Sequence, residues 1–158
     1  MYEGVVSDAD VLGCGFCDAL RGRVHDAPLA LNDERFAVSM GQYQPTGPGY
    51  AFVAPHAHIQ DLHSLPEHEC GPMLQMVQRT SVAIQRTFGV SGTTVVQNNG
   101  LPGQSVPHLH FHIVPRHVGD GYPRRTEVPV PDHELLEQSR MLAAALSTDS
   151  ASHTRASE

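Results

Sequence analysis

In the middle of the chain, Met73, Met76, Val77, Ile84 and Phe88 recur at spacings of three, four and seven, with Thr80 filling the turn between Val77 and Ile84. That period lays one apolar stripe along a helix. Pro72 suits the first turn of such a helix, where a missing N–H costs nothing, and Gly89 and Gly92 bound its end. A period of two governs residues 108–114. His108, His110 and His112 fall on one face of a strand, with Val114 continuing it, and Leu109, Phe111 and Ile113 fall on the other. Thr93 to Gln97, rich in β-branched residues, predicts another strand, and Tyr50 to Pro55 a short buried one. Val24 to Leu31 and Glu34 to Met40 alternate loosely and predict a hairpin across Asn32-Asp33. Residues 41–49 and 98–104 hold the glycines and prolines of loops, and 56–68 is irregular, with His56, His58, His63 and His68. Pro131 to Leu146 predicts a final helix, and the Ser-, Ala- and Thr-rich end reads as a disordered tail. Strands, helix, strands, helix predicts an α+β fold: an antiparallel sheet of about five strands with one long helix packed on it and a C-terminal helix. The domain spans 1–147 and the tail 148–158.

A chain of 158 residues suits one domain and buries about two-thirds of its unfolded surface. The net charge of −7 argues against broad electrostatic binding to nucleic acid. A small anion held by local donors remains compatible with it. No apolar stretch approaches the ~20 residues that span a bilayer. Residues 1–13 read as a short leader without the basic start of a signal peptide. The expectation is a soluble, cytoplasmic protein with no membrane or nucleic-acid partner. Three cysteines, Cys14, Cys17 and Cys70, do not make a disulfide scaffold. The unusual count is histidine, 11 in all, which directs attention to a site.

Three imidazoles on one sheet face have three readings: a polar solvated face, a metal cluster, or nucleophilic catalysis. Thr, Lys or Glu would serve the first equally well. A neutral imidazole is an effective nucleophile toward phosphorus near pH 7, and a flanking imidazole can donate to phosphate oxygens. The preceding loop, Asn98-Asn99-Gly100-Leu101-Pro102-Gly103-Gln104-Ser105, favours this third reading, because such loops offer backbone N–H groups to an anion.

Asn-Asn-Gly, then Gly-Gln-Ser-Val, then His-x-His-x-His-Ile-Val-Pro-Arg over 98–116 resembles the signature of the histidine-triad (HIT) superfamily, especially its bacterial Hint-like nucleotide hydrolase branch. The resemblance extends more weakly to Cys14–Cys17 and to Phe52-Val53-Ala54-Pro55-His56-Ala57-His58. It implies a HIT-like α+β domain that forms a homodimer with one active site per subunit. It also implies a nucleotide hydrolase or phosphoramidase in which His110 attacks the α-phosphorus, forming a nucleotidyl-histidine that water hydrolyses. His112 would bond the phosphate, Gln104 and Ser105 would contact phosphate or leaving group, and Asn98 would position the substrate. His108 would support the strand or bind metal.

Cys14 and Cys17 have the spacing of half a zinc site. A redox pair is the alternative, but no βαβ pattern surrounds them. The resemblance implies that His58 and His108 complete the set, with His56 able to substitute for His58. A Cys₂His₂ set is closed to substrate, so the zinc would be structural. Cys70 reads as an ordinary buried thiol. His63, His68, His117, His133 and His153 read as surface residues. Arg116 is read equally as a phosphate contact or a solvated side chain, and Arg124-Arg125 as a solvated turn.

The chain departs from the family in one place that bears on substrate. Residues 36–50 contain neither Asp nor Glu, where relatives hold ribose hydroxyls with a carboxylate, and Gly41-Gln42-Tyr43 stands there instead. The loop between Gly100 and Gln104 is also about one residue short. The alternatives to a hydrolase are a nucleotidyltransferase or tailoring hydrolase acting on an unusual nucleotide-linked metabolite, and a non-catalytic zinc-containing nucleotide-binding module.

Overall fold

The computed structural model describes residues 13–24, 27–123 and 128–153, with side chains to residue 148. The expected leader, except Gly13, lies outside these residues, as do Arg124, Arg125 and 154–158. Five strands form one antiparallel sheet: β1 (Leu29–Asn32), β2 (Phe36–Met40), β3 (Ala51–Pro55), β4 (Gly92–Gln97) and β5 (Phe111–Arg116), in the order β1-β2-β3-β5-β4. The helices are α1 (Gly15–Leu20), α2 (Glu67–Phe88) and α3 (Asp132–His153), and a single 3₁₀ turn covers Leu62–Ser64. This is the expected α+β architecture.

The hairpin turn lies where Asn32-Asp33 placed it. Asp33 Oδ1 accepts from the backbone N–H of Arg35 at 2.8 Å and of Phe36 at 2.7 Å, so the side chain supplies the turn's acceptor. The long helix starts earlier than Pro72 predicts. Glu67 and Glu69 occupy its first turn, where carboxylates suit the positive end of the helix dipole. Glu69 is buried and takes an ion pair from Arg35 at 2.7 Å. Pro72 therefore sits inside α2, and the His68 carbonyl loses its helical donor. Gly89, at φ 62°, closes the helix in the left-handed region, which a side chain would strain. The final helix runs past the expected Leu146 to His153.

The expected stripe is the core. Met73, Met76, Val77 and Ile84 of α2, with Leu135, Leu142 and Leu146 of α3, pack against Val38, Met40, Ala51, Val53 and Ile113 of the sheet. Both long helices thus cover one sheet face. The register pairs Phe52 with His112 and Val96 with His112. Directly opposed residues share a face, so Phe52, Val96 and His112 stand together on the face turned away from Ala51, Val53 and Ile113. Helix packing is segregated to one side, and the other is left for chemistry.

Candidate active site

The triad does not lie wholly within a regular strand. Pairing with β3 begins at Phe111, not at His108. β3 ends at Pro55, and the chain beyond it turns away. Leu109 therefore donates to the carbonyl of Ile59 at 2.6 Å, and His108 to that of Val106 at 2.8 Å. Leu109 and Ile113 are fully buried, as the alternation requires. The rings of His110 and His112 are 4.8 Å apart, and Phe16 contacts the rings of both His108 and His110, at 5.5 and 5.0 Å.

Hydrogen bonds to carbonyls fix two of the three tautomers, since a carbonyl oxygen only accepts. His110 donates from Nδ1 to the carbonyl of His108 at 2.7 Å, leaving the lone pair on Nε2. His108 donates from Nε2 to the carbonyl of Pro55 at 2.8 Å, leaving the lone pair on Nδ1. Burial holds His110 below its ordinary pKa of 6.5, so the neutral, nucleophilic form dominates at neutral pH. Burial lowers His108 and His112 to about 4, with neighbouring imidazoles adding to the effect.

His112 opens onto a cavity of about 990 Å³, whose walls include Asn98, Gly103, Ser105, Phe52 and Tyr122. Its Nδ1 lies 2.6 Å from the hydroxyl of Tyr50, and its Nε2 3.4 Å from the Asn98 amide nitrogen. Gln42 and Tyr43 also line the cavity, at the acid-free stretch. Ser105 is exposed there. Gln104 is different. It is buried, accepting from the Gly100 N–H at 2.8 Å and donating to the carbonyl of Gln60 at 2.6 Å. Its amide thus ties the glycine loop to the 56–61 segment, and the Gly100 N–H, one of the loop's backbone donors, is already paired.

The expected metal ligands meet. Cys14 Sγ, Cys17 Sγ, His58 Nδ1 and His108 Nδ1 all lie within 4.8 Å of one another. Sulfur to His108 Nδ1 distances are 3.5 and 3.4 Å, and Cys17 to His58 is 3.2 Å. Four ligands at about 2.0–2.3 Å from a tetrahedral centre stand roughly 3.3–3.8 Å apart, so the cluster fits a metal ion. The second condition is also met, because His108 presents its Nδ1 lone pair while Nε2–H is held by a carbonyl. His56 lies outside this cluster. The cysteine pair opens α1 instead of forming a bare turn, which carries Phe16 onto the triad rings.

Three other expectations meet their outcome here. Cys70 is exposed, not buried; at the start of α2 its Sγ donates to the Pro66 carbonyl at 3.6 Å. Arg116 is half-buried and paired instead of simply solvated. It donates to both oxygens of Asp120, at 2.7 and 2.9 Å, and to Thr94 at 2.9 Å, with Tyr122 stacked 4.6 Å away. This staple holds Tyr122 at the cavity wall. His63, His68, His117 and His133 are exposed as expected. Tyr50, Phe52, Phe16 and Tyr122 are the site residues that the sequence reading missed, since strand register and loop stapling place them.

Comparison with known proteins agrees with this geometry. The HIT domain family model matches residues 25–119. The adenosine 5'-monophosphoramidase of Schizosaccharomyces pombe is 31% identical over 130 residues, covering 78% of this chain and 91% of that protein. The crystal structure of a HIT-like protein from Bartonella henselae superposes with a TM-score of 0.75 at 27% identity, covering 84% of this chain and 96% of that one. A zinc-bound histidine triad family protein from Mycobacterium smegmatis gives a TM-score of 0.73 at 30% identity, covering 89% and 98%. By sequence, fold and the row of three imidazoles, this chain belongs to the HIT domain family.

Proposed function

We propose that this protein hydrolyses a bond at the α-phosphorus of a nucleoside phosphate conjugate, such as a phosphoramidate, through a covalent nucleotidyl-histidine on His110. The observation that carries the reading is the His110–His108 hydrogen bond, which leaves a neutral Nε2 lone pair in a buried site. In the first step Nε2 forms a bond to phosphorus, and the bond to the leaving group breaks. The leaving group departs with a proton from solvent. The imidazole, now cationic, keeps its Nδ1–H on the His108 carbonyl, where the bond strengthens with the charge. In the second step water attacks phosphorus, the P–N bond breaks with its electron pair returning to Nε2, the water's proton passes to solvent, and the neutral ring returns. His112 and Ser105 serve the phosphate and Asn98 the substrate, while Gln104 acts by shaping the loop.

Cys14, Cys17, His58 and His108 would hold a zinc ion as a structural clamp, supplying a cross-link and no chemistry. The family resemblance further suggests a cytoplasmic homodimer; no described helix is long and apolar enough to cross a membrane.

The test is incubation with an adenosine phosphoramidate, quenching and mass spectrometry. The expected result is a nucleotide mass on His110, and at least about a 10³-fold loss of rate in His110→Ala. An unchanged rate in that variant sinks the assignment. Offering alternative acceptors in the same reaction separates hydrolysis from nucleotidyl transfer.

A further inference from the structure

Among the side-chain contacts of the triad, the one to Tyr50 has no role in the mechanism above. From its geometry we infer that Tyr50 is a positioning residue: its hydroxyl donates to His112 Nδ1, holding His112 as the Nε2–H tautomer with that N–H turned to the substrate phosphate. The inference rests on the proposed phosphate role of His112.

Oxygen to nitrogen is 2.6 Å, a hydrogen bond in which either group could donate. A neutral imidazole that turns an N–H to a phosphate oxygen from Nε2 must accept at Nδ1, and the phenol O–H is the donor in reach there, so the ring proton is assigned to Nε2. Burial pushes Tyr50 up to about 12, so this donor persists through the neutral range. The Asn98 nitrogen, 3.4 Å from Nε2, is too distant for a good bond. Among the described residues, then, the Nε2–H has no strong acceptor and is available to a phosphate oxygen. Accepting from the phenol also polarises the ring, which makes Nε2–H a stronger donor.

The surroundings hold Tyr50 in this place. Its ring lies nearly parallel to that of His112, at 15° and 6.0 Å. Phe52 stands edge-on to both, at 5.2 and 5.0 Å. Gly41 makes the room: a Cβ there would run into Cδ1 of Tyr50 and stand 2.7 Å from Cε1. The acid-free Gly41-Gln42-Tyr43 stretch thus acquires a reason for its glycine that does not involve ribose.

The test combines ¹⁵N NMR of the imidazoles in the full-length protein with kinetics on an adenosine phosphoramidate. In the wild type, His112 is expected to be protonated at Nε2. Tyr50→Phe keeps the ring and removes the donor; Gly41→Ala keeps the donor and displaces the ring. Both are expected to mix the His112 tautomers and to lower kcat about ten-fold while changing KM less than about two-fold, because the contact strengthens in the transition state. A wild-type His112 protonated at Nδ1 overturns the inference without requiring any variant to fold. So does a folded Tyr50→Phe with the wild-type tautomer, or with kcat within about two-fold of wild type. If the wild type forms no nucleotidyl-histidine, the proposed function fails, while the NMR result still decides the hydrogen bond.

Discussion

The Nδ1–H of His110 is held by the backbone carbonyl of His108, at 2.7 Å, while the ring of His108 faces the two cysteines. One residue therefore serves two sites: its carbonyl orients the nucleophile and its Nδ1 belongs to the metal cluster. Whatever holds the His108 ring also holds the peptide that aims His110. Phe16, seated between the cysteines, adds a second link by packing on the His110 ring.

The first consequence concerns pH. Activity requires neutral His110, and burial lowers its pKa below 6.5. A depressed histidine stays neutral as pH falls through 6.5, so kcat/KM should remain flat there and decline only at lower pH. His112, near 4, does not bring the decline forward. An acid limb centred at or above 6.5 in the pH–rate profile would count against the buried neutral nucleophile. Stability carries the same sign. An unfolded histidine takes up its proton near 6.5, while folded His112 resists until about 4. Its contribution to stability should therefore fall as pH drops across that window and change no further below it. Melting curves between those limits check this.

The second concerns the metal cluster. Burial first, and then the adjoining Cys14, push the Cys17 thiol up to about 12 without metal. A metal must displace that proton, so zinc affinity should rise with pH. The cluster joins Cys14 to His108 across 94 positions. A cross-link over a loop of that size is worth on the order of 4–5 kcal/mol. At about 2–4 °C per kcal/mol for a chain of this size, chelation or Cys17→Ser should lower Tm by about 8–20 °C. It should also slow the nucleotidylation of His110. Unchanged melting after complete zinc removal, measured by metal analysis, would show that the cluster is no clamp.

Much of this site was legible in the sequence because its signals are local. A period of two placed Leu109 and Ile113 in the core, and the Cys-x-x-Cys spacing with the family pattern named all four residues of the metal cluster. The misses are non-local. In sequence Tyr50 is simply the first residue of a buried strand, because its partner lies 62 positions away and strand register alone brings them together. Pro72 suggested a helix start, yet Glu69, paired with Arg35 from the first hairpin, anchors an earlier one. The strand start was misplaced by three residues, since only the departure of the chain after Pro55 leaves His108 to pair elsewhere.

A third expectation follows from the Asp120 staple. Hydrogen bonds from Arg116, first, and from the backbone N–H groups of Tyr122 and His117 hold the Asp120 carboxyl well below the usual carboxylate range. A depressed carboxylate contributes its full stabilisation above its unfolded pKa, so the staple is intact at neutral pH. Asp120→Asn should loosen Tyr122 at the cavity wall. The predicted signature is KM raised about three- to ten-fold with kcat nearly constant, the pattern of a lost uniform binding contact. A change confined to kcat would mean that Asp120 acts on the chemistry instead.

Gln104 allows the sharpest separation of a family expectation from this chain's own geometry. As a phosphate ligand it would act on the transition state, and Gln104→Ala would lower kcat with little effect on folding. As the buried tie seen here, its amide satisfies the Gly100 N–H and the Gln60 carbonyl. Removing it breaks both hydrogen bonds of a buried amide that bridges two exposed backbone segments, at about 0.5–1.5 kcal/mol for each net hydrogen bond lost. Gln104→Ala should therefore lower Tm by several degrees and raise KM through a loosened Asn98–Ser105 loop, with kcat reduced less than about three-fold. Thermal melting and steady-state kinetics on the same preparation decide between the two. A large loss of kcat at unchanged Tm would return Gln104 to the phosphate.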